Sequence, residues 1–124
     1  MSFFPGFKSG KVATSGAEIH FVTVGSGPPL LLLHGYPQTH IMWRHVTPHL
    51  AKTHTVVAAD LRGYGDSSKP AEGKNHEGYS KRAMAQDQLE LMRSLGFAKF
   101  TVVAHDRGAR VAHRMALDHP DAVE

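Results

Sequence analysis

Asp106 is the residue of this 124-residue sequence best suited to nucleophilic chemistry. It sits in Ala104-His105-Asp106-Arg107-Gly108, between the strand-forming run Phe100-Thr101-Val102-Val103-Ala104 and a helical stretch from about Gly108 to Asp118 that Pro120 ends. Small residues stand two before and two after it. A turn that tight holds its central residue in a strained backbone conformation and pushes the side chain outward, and small neighbours permit the close approach. A carboxylate there needs no base to deprotonate it, because its reference pKa is about 3.9. It can attack a saturated carbon, expel a leaving group and form an ester with the protein. Hydrolysis of that ester by water then requires a general base, normally a His oriented by an acid, and an oxyanion hole. The alternative reading makes Asp106 a helix N-cap, a position Asp often takes.

The loop His34-Gly35-Tyr36-Pro37 supplies a place for the oxyanion hole, because it follows the apolar run Leu30-Leu31-Leu32-Leu33. One donor would be the N–H of Arg107, the residue after the nucleophile, and the other the N–H of Tyr36 in this loop. A plain turn is the alternative, since Gly35 and Pro37 are turn residues. A third segment, Asp60-Leu61-Arg62-Gly63-Tyr64-Gly65-Asp66-Ser67, reads as architecture: its glycines permit a tight turn and Asp60 is expected to bind nearby backbone N–H groups.

The elements that must position these loops are legible from periodicity. Lys11 to Val24 reads as an antiparallel hairpin turning at Ser15-Gly16. Leu30–Leu33 and Thr55–Ala59 read as strands covered on both faces, and Phe100–Ala104 as another. A helical stretch is expected from about Ile41 to Ala51, broken or kinked at Pro48, with Trp43 packing it on the sheet. Leu61 to Tyr79 is loop. A second helix runs from an N-cap at Ser80 to Leu95, stopped by Gly96, with Met84, Leu91, Met92 and Leu95 facing the sheet. Strands alternating with helices define an α/β class with a hairpin and a mostly parallel sheet, and the loops at its strand ends gather into one crevice.

Taken together, the three loop motifs resemble the epoxide hydrolase and haloalkane dehalogenase branch of the α/β-hydrolases, over residues 12 to 124. Most members of that branch carry Trp after the nucleophile; Arg107 here, with Arg110 three residues later, is similar to the haloacetate (fluoroacetate) dehalogenase pattern. The resemblance implies that Arg107 and Arg110 clamp a substrate carboxylate while Asp106 attacks the carbon bearing halogen. Physical chemistry agrees: residues three apart share a helix face, the first turn favours anions, and guanidinium binds carboxylate bidentately. Two surface arginines in exposed salt bridges are the alternative. The expected function is hydrolysis of the carbon–halogen bond of small 2-haloacids through an Asp106 ester. Epoxide hydrolysis with the same nucleophile is the first alternative; a non-catalytic remnant or small-ligand binding protein on the same scaffold is the second.

The catalytic His and its acid follow the nucleophile in chain order in this fold, and only 18 residues follow Asp106. His113, seven positions on, stands roughly 10 Å along a helix from the elbow, and His119 is farther. The sequence therefore reads as the N-terminal portion, residues 1–124, of a single α/β-hydrolase core domain whose cap domain and C-terminal strands are not in it. The isolated chain is expected to be inactive and to bind its missing part, self-associate or aggregate; a homodimer is one form of this.

Composition bounds the rest. Net charge is +3 and pI about 9.4, but the basic residues are scattered, which argues against nucleic acid. Cysteine is absent, excluding a disulfide framework and thiolate metal sites. The first residues lack a signal-peptide pattern, and no apolar run approaches the roughly 20 residues of a membrane helix; a cytoplasmic protein acting on a small molecule, without cofactor, is expected. The pairs His40 with His45 and His49 with His54 suggest a metal, but no third ligand accompanies them at convincing spacing, so surface or capping roles and no metal are expected.

Overall fold

The computed structural model describes residues 7–15, 17–35, 39–69 and 80–123. Five strands form one sheet: β1 (Lys8–Ala13), β2 (Glu18–Val24), β3 (Pro29–Leu33), β4 (Thr55–Ala59) and β5 (Thr101–Ala104), in the order β1-β2-β4-β3-β5. The hairpin β1–β2 is antiparallel, and β2 adds antiparallel to β4. The remaining pairs, β3 with β4 and β3 with β5, are parallel. The Thr14 N–H donates to the Ala17 carbonyl across the hairpin turn; Gly16 lies outside the described residues.

β3 and β4 are central because their sequences tolerate apolar surroundings on both faces. Leu31, Leu32, Leu33, Val56, Val57, Ala58 and Ala59 are fully buried. Burying a leucine or valine side chain contributes about 1.5–3 kcal/mol. Alternate residues serve opposite faces, as the period of two requires. Leu31, Leu33, Val57 and Ala59 join one core cluster with Met84, Leu89, Leu91, Met92, Val111 and Met115; Leu30, Leu32, Val56 and Ala58 join another with Val22 and Trp43.

The helices α2 (Lys81–Ser94) and α3 (Arg107–Asp118) supply the first cluster. Ser80 caps α2, its Oγ accepting from the Ala83 N–H, and Gly96 at φ 94° follows its end. Met84, Leu91 and Met92 are buried as the periodicity predicts, with Leu95 half-buried beside them. On α2, Asp87 is buried too. Its carboxylate receives two bonds from the buried Arg62 guanidinium and one from the Thr14 hydroxyl, which ties the helix to the loop after β4 and to the hairpin.

The helical stretch expected from Ile41 to Ala51 is broken, but before Pro48 and not at it. A 3-10 turn, His40–Trp43, is followed by the short α1 (Thr47–Leu50), with Pro48 in its first turn. Proline lacks an N–H, but the first helical turn has no intrahelical acceptor for one. Pro48 thus belongs to a helix start instead of kinking an interior. Trp43 packs on the sheet as expected. The loop expected over Leu61–Tyr79 is seen as far as Lys69, and residues 70–79 lie outside the described ones. Among the described residues no helix is long and apolar enough to cross a membrane.

Candidate active site

The parallel registers Leu33↔Ala59 and Leu33↔Ala104 bring the carboxyl ends of β3, β4 and β5 side by side. The loops starting at His34, Asp60 and His105 therefore meet at one edge, where α/β sheets place their ligands.

Asp106 occupies the turn from β5 into α3 at φ 52°, ψ −116°, the only non-glycine with positive φ among the described residues. Such a conformation costs about 1–3 kcal/mol and persists only where the surroundings fix it. Here the His105 N–H donates to the Leu33 carbonyl, and the Gly108 N–H donates back to the His105 carbonyl. The Asp106 carbonyl accepts from the Ala109 N–H at 3.0 Å. Its side chain makes no capping bond to the helix start, and the residue is exposed on the site edge. Asp106 thus holds the N-cap position of α3 but does not cap the helix with its side chain.

Two glycines explain how the turn fits. A Cβ on Gly108 would stand 2.4 Å from the His34 carbonyl oxygen and 2.6 Å from that of Leu33. The small residue after the turn thus lets α3 settle on the end of β3. A Cβ on Gly35 would stand 2.6 Å from the Asp106 Cβ. The sequence places Gly35 in the expected oxyanion loop, with a plain turn as the alternative; its role in the structure is to let the β3 loop touch Asp106.

His34 locks that loop. It is fully buried, its Nε2 accepting from the Leu61 N–H at 3.0 Å and its Nδ1 lying 2.9 Å from the Gly35 carbonyl oxygen. An acceptor Nε2 puts the proton on Nδ1, which then donates to Gly35. Burial lowers the His34 pKa, opposed by the Gly35 carbonyl bond and by Asp60, with His40 adding to the lowering. His34 is therefore the neutral imidazole that this pair of bonds requires. Tyr36, the expected second oxyanion donor, lies outside the described residues. The N–H of Arg107, the other expected donor, belongs to the first turn of α3.

Asp60 is a buried hub. One carboxylate oxygen lies 2.7 Å from the His40 backbone nitrogen and 2.8 Å from His40 Nδ1. The other lies 3.0 Å from the Asp66 nitrogen and 3.1 Å from His20 Nδ1. Burial raises the Asp60 pKa, but the bonds from the His40 side chain, the His40 N–H and the Asp66 N–H outweigh it and hold the pKa at about 2. The backbone-binding role expected of Asp60 is met. The surface role expected of His40 is not: it is buried, because Asp60 and His20 offer it partners that no local spacing announces.

His20, His40 and Asp60 bring three metal-capable atoms within 4.8 Å of one another. Each carboxylate oxygen already accepts one main-chain N–H and one imidazole at hydrogen-bond length. A metal would have to displace those bonds to reach ligand distances of about 2 Å. The donor set fits a hydrogen-bonded knot better than an ion.

The two arginines share a side of α3 but differ in setting. Arg107 is half-buried, and its Nη1 donates to the Tyr64 hydroxyl at 2.9 Å. Arg110 is exposed, in a groove of about 550 Å3 lined by Lys81, Ala109, His113, Arg114 and Leu117. Burial and the charges of Arg107 and Arg110 together lower the Lys81 pKa, so both guanidinium groups are felt at this one point. Sequence reasoning missed Tyr64, His20 and Asp87. Each matters through a partner remote in sequence.

A parallel-centred sheet with a strained Asp at the strand-to-helix turn defines the α/β-hydrolase class. The chain belongs to the alpha/beta hydrolase fold family, whose model matches residues 28–124. It is similar to the fluoroacetate dehalogenase of Burkholderia sp, at 59% identity over 97% of this chain and 40% of the relative. It is also similar to the soluble epoxide hydrolase of Corynebacterium sp. (strain C12), at 50% identity over 89% of this chain and 37% of the relative. Among solved structures, a crystal structure described as that of an alpha/beta hydrolase from Nostoc sp PCC 7120 superposes with a TM-score of 0.95 at 61% identity. That match covers 98% of this chain and 42% of the other. The chain thus spans about 40% of the length of these two relatives.

Proposed function

We propose that the protein carrying this chain hydrolyses the carbon–halogen bond of small 2-haloacids, with Asp106 as nucleophile. The observation that carries the reading is the strained backbone of Asp106 at the end of β5, packed against Gly35. In the first step the Asp106 carboxylate attacks the carbon bearing halogen, the carbon–halogen bond breaks, halide leaves, and an alkyl ester forms. In the second, water adds to the ester carbonyl, losing its proton to a base, and the 2-hydroxyacid departs with Asp106 regenerated. The N–H of Arg107 and one from the His34–Pro37 loop, assigned to Tyr36, would stabilise the tetrahedral oxyanion. Losing one such donor costs on the order of 3 kcal/mol of barrier. Arg107 and Arg110 would bind the substrate carboxylate and offset its repulsion from Asp106. The likeness to the Burkholderia fluoroacetate dehalogenase supports this substrate class. His113 and His119 stand too far along α3 to act on Asp106, so the reading requires a base and its acid from outside residues 107–123.

The likeness to the Corynebacterium epoxide hydrolase favours a second reading, in which the same carboxylate opens an epoxide. One experiment addresses both: residues 1–124 are fused to the remaining segment of the Burkholderia enzyme and incubated with chloroacetate or an epoxide in heavy-oxygen water. After repeated turnover, mass spectrometry of the Asp106 peptide should show incorporated label. Label confined to the product would exclude the ester route. Turnover of the epoxide but not the haloacid would select the second reading.

A further inference from the structure

We infer that Tyr64 is a positioning residue for Arg107, and that through it the loop after β4 sets the preference for substrates bearing a carboxylate. The inference rests on the proposed haloacid reading and extends it to a residue outside the elbow.

Three observations carry it. The Arg107 Nη1 donates to the Tyr64 hydroxyl at 2.9 Å, joining segments 43 positions apart. The Tyr64 ring meets His34 edge-on, centroids 5.2 Å apart at 70°. His34 is in turn the fully buried residue that locks the loop against Asp106. The phenol thus stands between the oxyanion-side loop and the guanidinium next to the nucleophile.

Tyr64 is itself held firmly. Its N–H donates to the Leu61 carbonyl and its carbonyl accepts from the Ser67 N–H. The Ser67 hydroxyl donates to the Asp60 carbonyl at 2.7 Å, and Asp66 is bound to the Asp60 carboxylate. Gly65, at φ 52°, lies so close to that carboxylate that a Cβ would stand 2.4 Å from its carbon. The turn has one arrangement, and the hydroxyl is delivered to one place.

A guanidinium ends a long side chain with several rotatable bonds, and its five donors lie in one plane. Fixing one nitrogen on a phenolic oxygen restricts the orientation of that plane. Bidentate recognition of a carboxylate depends on that orientation, whereas attraction to a neutral substrate does not. A Tyr64→Phe change keeps the ring against His34 and removes only the acceptor.

The test uses the chimera described above, with chloroacetate and chloroacetamide as anionic and neutral substrates of the same size. Tyr64→Phe should raise KM for chloroacetate about tenfold more than for chloroacetamide, with kcat changing less than KM. In an Arg107→Gln background the same substitution should have no further selective effect. If Tyr64 merely ties the loop to α3, Tyr64→Phe will instead lower Tm and weaken both substrates equally, and the inference is overturned. If Arg107→Gln leaves the two substrates in their original ratio, the arginine clamp itself falls, and the inference with it. A direct readout on the same chimera uses its NMR guanidinium signals. The Arg107 Nη resonances are expected to be slowed by the bond to Tyr64 and to lose that slowing in Tyr64→Phe; equal exchange in both proteins would overturn the inference whatever the kinetics show.

Discussion

Gly35 and Asp106 meet with no room for a methyl group between them: a Cβ on the glycine would also lie 3.0 Å from Asp106 Oδ2 and 3.0 Å from the His105 carbonyl oxygen. Neither the elbow backbone nor the strand-end loop can give way cheaply, because each is bonded to the end of β3. Gly35→Ala is therefore expected to destabilise the chain by about 1–3 kcal/mol, the usual cost of overpacking. Urea denaturation measures this, and an unchanged midpoint would refute the contact.

The backbone at Asp106 predicts an opposite effect. Glycine relieves a strain of about 1–3 kcal/mol at positive φ, against an added unfolded-state entropy of about 0.5–1 kcal/mol. Asp106→Gly should stabilise the fold by about 1 kcal/mol while removing the proposed nucleophile. A lower Tm for the variant would show that the turn is not strained.

Much of this arrangement can be read from the sequence, and the unreadable part has a common cause. The strands β3, β4 and β5 announce themselves as short aliphatic runs, and α2 by its Ser80 cap and its Met84–Leu95 stripe. The elbow is legible because strand, small residues and helix are contiguous. The knot around Asp60 is not. His40 and His20 reach it from 20 and 40 positions away, and pairing at that range leaves no periodicity behind. The same holds for Tyr64 with Arg107, and for Asp87, whose charge on a buried helix face contradicts the local pattern until Arg62 is placed beside it. Pro48 misled for a different reason, since proline inside an apolar stretch can begin a helix as well as break one.

Asp60 predicts an acid limb to stability. Its pKa is lowered from 3.8 unfolded to about 2 folded, so the unfolded chain binds the proton more readily. The contribution, about 2 kcal/mol for a shift of this size, is present above roughly pH 4 and is lost as pH falls toward 2. Asp60→Asn should be less stable at neutral pH and show a shallower decline between pH 4 and 2. Stability curves of equal slope for the two proteins would contradict the hub.

β5 predicts association. It ends the sheet order, Val103 on it is 41% exposed, and past the bridge from Phe100 to Val123 no described strand covers its outer side. An aliphatic strand with an open side recruits other strands, and a charge placed there discourages them. Val103→Lys should reduce concentration-dependent association of the 124-residue chain in sedimentation experiments. An equally associated variant would move the interface elsewhere.

The paired bonds of His34 have a consequence for how this scaffold can change over evolutionary time. With one nitrogen committed to each of two neighbouring strand tips, an insertion in either tip would leave an imidazole nitrogen stranded in an apolar interior. Backbone length at the site edge is thereby frozen, and new chemistry has to arrive by exchanging what projects from it. A designer wishing to transplant this edge must carry all three tips across as one graft.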